Sequence, residues 1–359
     1  MTSRTSLFLV VSLFVISSNG IFVWINYQAE RSRFQSFLEE KSQYLGRLFE
    51  ATLEDTALRM QQTAAYIASV PEIQQTFYAG RQAVIAEGGG GGGMQAQLAR
   101  CKLLMLVSNP WEELQRLYDT RQLHFQFGTA ATSFLRVEQP DEFGDDLADV
   151  RFTIQDALRL EKPTLGFECG RALCGIRGVV PVKMSDPAAT EKVLQIGVLE
   201  AGTSYQSLLT LVEKSSLAHF AVLLTLDHLR ETMWPHHLTN YVANNPAIDG
   251  YLVEASLHQR THTLLNDACV QAIVHHFSVS WCHIDQSDIA LAAFPLRDYR
   301  GQNDLKRAPV GVILSWYDVT NDIKQLKQDL YTNIFYAVAV LIVIEILLFF
   351  TFRTITRKS

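Results

Sequence analysis

Val179-Val180-Pro181-Val182, a polar turn, and Leu194-Gln195-Ile196-Gly197-Val198-Leu199 decide the fold, because the pattern returns. Ala293-Phe294-Pro295-Leu296, a second polar turn and Val310-Gly311-Val312-Ile313-Leu314 repeat it. Pro181 to Pro295 and Gly197 to Gly311 give the same offset of 114. A register shared by two strands predicts an internal duplication. Each copy ends in a short helical segment, Tyr205 to Val212 and Asn321 to Leu330. Other short apolar runs bounded by turn residues read as strands: Leu123 to Phe127, Ser133 to Val137, Ala218 to Leu224 and Ile289 to Phe294. The expected class is α+β, with two modules built on antiparallel sheets.

Upstream of the repeat, Phe34, Phe37, Leu38, Leu45, Leu48, Phe49, Leu53, Ala57, Met60, Ala64 and Ile67 recur at three-, four- and seven-residue steps. This predicts one long amphipathic stalk helix ending near Pro71. Before it, Leu7 to Ile25 is nineteen residues without a charge, about 28 Å as a helix at roughly 1.5 Å per residue and enough for a bilayer core. A cleaved signal peptide is the competing reading, but apolarity resumes at Ile21-Phe22-Val23-Trp24-Ile25, beyond the usual length of such a segment. Tyr331 to Phe352 carries only Glu345, and Arg353, Arg357 and Lys358 after it mark a cytoplasmic flank.

Two spans place both ends in the cytoplasm and the intervening domain in the periplasm of a multi-pass inner-membrane protein. The expected segments are a cytoplasmic start (1–6), a first span (7–27), a stalk (28–70), a membrane-distal module (71–212), a membrane-proximal module (213–330), a second span (331–352) and a cytoplasmic tail (353–359). Glu345 inside the second span costs a few kcal/mol unless protonated or paired. Antiparallel spans bring it to the depth of Ser12, the expected partner unless a second subunit supplies one.

The 359 residues are 48% apolar and 19% charged, with 31 basic and 37 acidic side chains, the composition of a folded chain. With Arg4, Arg353, Arg357, Lys358 and Glu345 set aside, 27 basic side chains face 36 acidic ones between the spans, a net of −9. That argues against a nucleic-acid partner.

The run Gly88 to Gly93 lacks the following Lys and Ser or Thr of a phosphate-binding loop and reads as a connection between helices. Cys269, His275, His276, Cys282 and His283, with His236, His237, His258 and His262, fit no zinc signature, and Gln259 stands where a metalloprotease helix needs Glu. No metal, cofactor or enzymatic activity is expected; an exported hydrolase is the weakest competing class, because nucleophile elbows and paired acid/base motifs are missing.

The most specific wording is Glu87-Gly88-Gly89-Gly90, Arg121-Gln122-Leu123-His124-Phe125, Ser133-Phe134-Leu135-Arg136-Val137, Phe143-Gly144-Asp145, Gly166-Phe167-Glu168 and Gly175-Ile176-Arg177-Gly178-Val179-Val180-Pro181. Over most of residues 28 to 330 the chain resembles the double Cache sensory modules of bacterial transmembrane receptors. The resemblance implies two PAS-like modules on a stalk helix, a small-molecule ligand, a homodimer and signalling through the second span. Such receptors usually continue into a diguanylate cyclase, histidine kinase or chemotaxis domain. This sequence stops seven residues after Phe352, so the expectation is a truncated receptor or a sensor served by a separate cytoplasmic signalling protein.

Within residues 121 to 177, six Arg are interleaved with six Phe, whereas the window 114 residues later has only Arg260 with Tyr241, Tyr251, Phe277 and Trp281. Guanidinium groups clamp carboxylates bidentately, and aromatic walls exclude water. The expected ligand residues are therefore Arg121, His124, Phe125, Phe134, Arg136, Asp145, Arg151, Glu168 and Arg177, with Arg136 as the main contact of a carboxylate-bearing ligand. Strand alternation puts Phe134 and Arg136 on one face. Two alternatives stand beside this: the Arg pair with Asp141, Glu142, Asp145, Asp146 and Glu168, or Asp145 and Glu168 hold a cationic amine. A scaffold with no small ligand is a further reading. Cys169 and Cys174 flank a hairpin turn and form the expected disulfide; Cys269 with Cys282 is a second pair, which leaves Cys101 over.

Overall fold

The computed structural model describes residues 2–186, 189–245 and 247–357; Lys358 of the expected cationic flank lies outside them. Its first element, α1 (Thr2–Ala68), runs unbroken through the apolar run and the amphipathic stretch. Leu38, Leu45, Phe49, Leu53, Ala57, Met60, Ala64 and Ile67 form its buried stripe, while Phe37, expected there, is exposed. Val70 turns extended and Pro71 starts α2 (Pro71–Ala86), because proline fits a first helical turn but not a helix interior.

The glycines link α2 to α3 (Met94–Tyr118). Gly88, Gly89, Gly90 and Gly92 all have positive φ, which favours glycine. Glu87 then caps α3, its carboxylate accepting from the backbone N–H of Gly93 at 2.7 Å, Gln95 at 2.9 Å and Ala96 at 3.0 Å.

The remaining elements are β1 (Gln122–Phe127), β2 (Thr132–Arg136), α4 (Phe152–Leu160), β3 (Thr164–Cys169), β4 (Cys174–Asp186), β5 (Ala189–Thr203), α5 (Tyr205–Ser216), β6 (His219–Thr225), α6 (Leu226–Thr232), α7 (Pro235–Asn244), β7 (Tyr251–Ser256), α8 (Thr261–Leu265), α9 (Ala268–His276), β8 (Val279–Ile284), β9 (Ser287–Leu296), α10 (Tyr299–Asn303), β10 (Gly311–Asp318) and α11 (Thr320–Arg357). Two five-stranded sheets result, β2-β1-β5-β4-β3 and β7-β6-β10-β9-β8, and adding five to each strand of the first gives the second.

The repeated glycines explain themselves here. A Cβ on Gly197 would lie 2.4 Å from the carbonyl oxygen of Gln126, and one on Gly311 2.0 Å from that of Leu223. In both sheets the neighbouring strand shifts register beside that contact, so each copy needs a residue without a side chain there.

The chain divides into two compact units. Tyr44–Ser278 with Ala292–Trp316 forms one. In it, Phe77, Phe125, Phe134, Leu123, Val180 and Ile196 join α1, α2 and α3 to the first sheet in one core. Contact is close enough that a Cβ on Gly178 of β4 would reach 2.0 Å from the Gln61 amide nitrogen of α1.

The other unit contains the chain as far as Gln43, Val279–Leu291, and the chain from Tyr317. Leu38, Ala290, Val319 and Ile323 pack together in it, and the Lys41 ammonium sits 3.9 Å over the Tyr317 ring. Helices α1 and α11 are each long and apolar enough to cross a membrane. Between them the Ser12 hydroxyl donates to Glu345 Oε2 at 2.7 Å, giving the carboxyl a partner where one is expensive to lack.

Candidate ligand site

The first sheet has two unlike faces. Register pairs Phe125 with Leu135, His124 with Arg136, and Gln126 with Ser133, so Phe134 is the extra residue of a bulge. The bulge cancels the alternation expected for β2: Phe134 turns to the helix side with Phe77 and Phe127, while Arg136 joins the face of His124 and Gln126. Phe125 packs on Phe77 in the same core. Phe125 and Phe134 are therefore core residues rather than pocket walls.

The opposite face carries buried charge. Arg177 is fully buried and donates to Glu200 at 2.7 Å, the Glu168 carbonyl at 3.2 Å, the Leu173 carbonyl at 3.0 Å and the Gln122 side chain. Arg151 bonds Glu168 at 3.1 Å and also Glu200. Glu168 closes the N-terminus of α4, accepting from Phe152 N at 2.7 Å and from Thr153 Oγ1 at 2.7 Å. Two guanidinium groups thus meet two carboxylates.

Burial pushes the Glu200 carboxyl up, but Arg151 and Arg177 outweigh it and hold it at about 2. At Glu168 burial wins over the same arginines and its value is raised. His124 donates to or accepts from Ser133 Oγ at 2.8 Å, and burial followed by the Arg136 charge holds it well below its ordinary value, so it is neutral at pH 7. Glu200, at the centre of this network, is a residue the sequence reading passed over.

Above this floor lies a narrow cleft of about 40 Å³, lined by Gln122, His124, Arg136, Glu138, Glu142, Arg151, Arg171, Arg177 and Trp234, room for water rather than for an organic molecule. Arg136 is not free in it. It clamps Asp145 bidentately at 2.9 and 2.8 Å and donates to the Glu142 carbonyl at 2.8 Å. Burial raises Asp145, yet those bonds and the Arg136 charge leave it lowered.

Among the described residues, the Arg171 side chain has no ion pair or hydrogen bond, although it lines the cleft. It projects from the β3–β4 turn, which the Cys169–Cys174 disulfide closes (S–S 2.00 Å) together with the Gly170 N to Leu173 O bond at 2.9 Å. The Arg171 carbonyl accepts from Trp234 N at 2.9 Å, just before α7. Cys101 is free and exposed.

Arg121 stands apart, exposed beside Asp119 at 3.3 Å. It lines a second cavity of about 280 Å³ with Tyr205, Tyr241 and Glu254. A wider, open depression of about 510 Å³, lined among others by Arg81, Gln155, Arg159 and Gln195, contains none of the expected ligand residues. Its volume is larger, and two of its lining atoms, Arg81 Nε and Gln195 Oε1, are buried without a hydrogen-bond partner among the described residues.

Residues 36–306 match the family model described as the double sensory domain of two-component sensor kinases, dCache_3. The chain belongs to this double Cache family. Its modules are sensory, ligand-binding parts of receptors and not catalysts. Solved structures similar to the chain include the ligand-binding domain of the Campylobacter jejuni chemoreceptor Tlp3 with L-valine (12% identity, TM-score 0.36, covering 81% of this chain and 96% of that one). The periplasmic domain of Vibrio cholerae LuxQ (11%, 0.39, 78% and 98%) and the sensor domain of the V. cholerae histidine kinase DctB (12%, 0.39, 80% and 98%) are also similar. No relative is found among curated proteins.

Proposed function

We propose that this double Cache chain is an inner-membrane sensory receptor, crossing the bilayer at 7–27 and 331–352, whose distal module (71–212) binds a small carboxylate-bearing molecule in the cleft beneath Arg171. The observation that carries this is the Arg171 guanidinium, unpaired among the described residues, held over a floor whose other arginines, Arg136, Arg151 and Arg177, are already matched by carboxylates. A ligand carboxylate meets Arg171 first and then competes with Asp145 for Arg136, opening the narrow cleft. Because the Arg171 carbonyl is bonded to Trp234, movement of that turn reaches the proximal module (213–330) directly. From there the signal passes through the second span to an output domain or a separate cytoplasmic protein, in a homodimer.

A second reading, a cationic amine, has one observation in its favour: Glu138 and Glu142 line the same cleft. A thermal-shift screen of the full chain in nanodiscs against organic acids, amino acids and polyamines separates the two. Stabilisation by carboxylates supports the first reading, stabilisation by amines alone supports the second, and none from either class returns the chain to a scaffold.

A further inference from the structure

Glu213 near the end of α5, His219 at the start of β6 and His258 in the loop after β7 converge on one point. The Glu213 Oε2 atom lies 2.8 Å from His258 Nε2 and 3.5 Å from His219 Nδ1, and all three atoms lie within 4.8 Å of one another. The imidazole rings are 3.9 Å apart by centroid. Trp316 backs both of them, at 5.7 and 5.8 Å.

The arrangement is held from outside as well. Phe220 N donates to Glu213 Oε1 at 2.8 Å, which leaves Oε2 turned to the imidazoles. Ser256 Oγ accepts from His258 N at 3.2 Å, and the His258 carbonyl accepts from Thr261 Oγ1 at 2.8 Å, fixing the loop. Side-chain exposures of 45% for His219, 32% for His258 and 11% for Glu213 give an ion entry and a fourth position open to water.

We propose that Glu213, His219 and His258 form a binding site for a divalent transition ion of the zinc class. Two imidazoles and one carboxylate with an open fourth position is a donor set that zinc accepts, and bonds of about 2.0–2.1 Å place tetrahedral neighbours roughly 3.3 Å apart, close to the two spacings from Glu213 Oε2 to the imidazoles. Each imidazole enters as the neutral tautomer with its lone pair on the facing nitrogen; for His258 this moves the ring proton to Nδ1. The bound ion ties α5, which follows the distal sheet, to β6 and the β7 loop of the second sheet. Sequence spacing hides the site, since His258 is 45 residues from Glu213.

The test uses the full chain in nanodiscs after chelator treatment. Titration with Zn²⁺ alone should give one saturable site per chain and a higher melting temperature, reversed by chelator. H219A/H258A should weaken binding by well over roughly tenfold, the loss that outer partners of metal ligands alone can cause, and H236A/H237A should leave it unchanged. Co²⁺ on the unaltered chain should show the intense visible bands of a four-coordinate ion, a readout independent of whether any variant folds. Absence of saturable Zn²⁺ binding and of Co²⁺ bands, or binding that persists in H219A/H258A but falls in H236A/H237A, overturns the proposal.

Discussion

The two sheets share a strand order but not an interior. On one face the distal sheet buries His124, Gln126, Arg177 and Glu200; at the positions matched by strand pairing and by the 114-residue offset, the proximal sheet buries Ala221, Leu223, Leu291 and Leu314. The apolar version shows that this architecture needs no charge. Burying Arg177 and Glu200 costs desolvation that their attraction offsets only when geometry is good, and apolar replacements of such pairs are often neutral or stabilising. The distal copy keeps them, on our reading, because they set the floor of the cleft over which Arg171, unpaired among the described residues, is held.

Breaking the charge balance should give the largest effect. Glu200→Leu leaves Arg151 and Arg177 short of a buried carboxylate and should cost about 3–5 kcal/mol. Arg177→Leu with Glu200→Leu copies the proximal Leu pair, leaves Arg151 on Glu168, and should regain most of the loss. Denaturant unfolding of the full chain measures both; equal losses would mean the two faces are not interchangeable.

A pH effect of about 3–5 kcal/mol per group should follow from one carboxyl in each module, since every pH unit by which folding delays ionisation is worth ~1.4 kcal/mol. Burial pushes Glu138 up to about 7 and Glu254 up to about 8. Since folding raises both above the ordinary 4.5, their contribution is fully present below that value and is lost as pH rises through about 7 for Glu138 and about 8 for Glu254. Melting temperatures followed from about pH 5 to 9 should fall, with Glu138→Gln removing the part of the loss that ends first and Glu254→Gln the part that runs further into the alkaline range. A flat profile in the unaltered chain would contradict the burial of both carboxyls.

The smallest stability effects test what the copies share. Gly197→Ala and Gly311→Ala each force a Cβ against a neighbouring strand's carbonyl and should cost about 1–3 kcal/mol, similar in the two modules. A loss at one position alone would separate the copies structurally as well as chemically.

What the sequence made legible follows the same division. Strands with continuous apolar runs, such as β5, β6 and β10, were visible, as were the stalk helix and the duplication. β3, β7 and β8 escaped because Thr164–Cys169, Tyr251–Ser256 and Val279–Ile284 break their apolar residues with polar ones and carry no continuous apolar run. In the site, the arginine cluster was legible as composition. Its partners were not, because the β2 bulge that parts Phe134 from Arg136 and the fold that brings Glu200 beneath Arg177 are products of pairing. The one local signal for Glu200 was a lone carboxylate inside Val198-Leu199-Glu200-Ala201, an otherwise apolar strand.

In the proposed function Arg171 is the open anion contact of the distal cleft. Arg171→Ala should change the ligand-free stability little, within about 0.5 kcal/mol for a side chain without a partner among the described residues. Calorimetric titration of the full chain with a carboxylate found by the thermal-shift screen measures the claim directly: Arg171→Ala should weaken binding by about 2 kcal/mol or more, the usual cost of leaving a charged partner unpaired. Unchanged affinity in Arg171→Ala would contradict the account and return the cleft's arginines to a structural role.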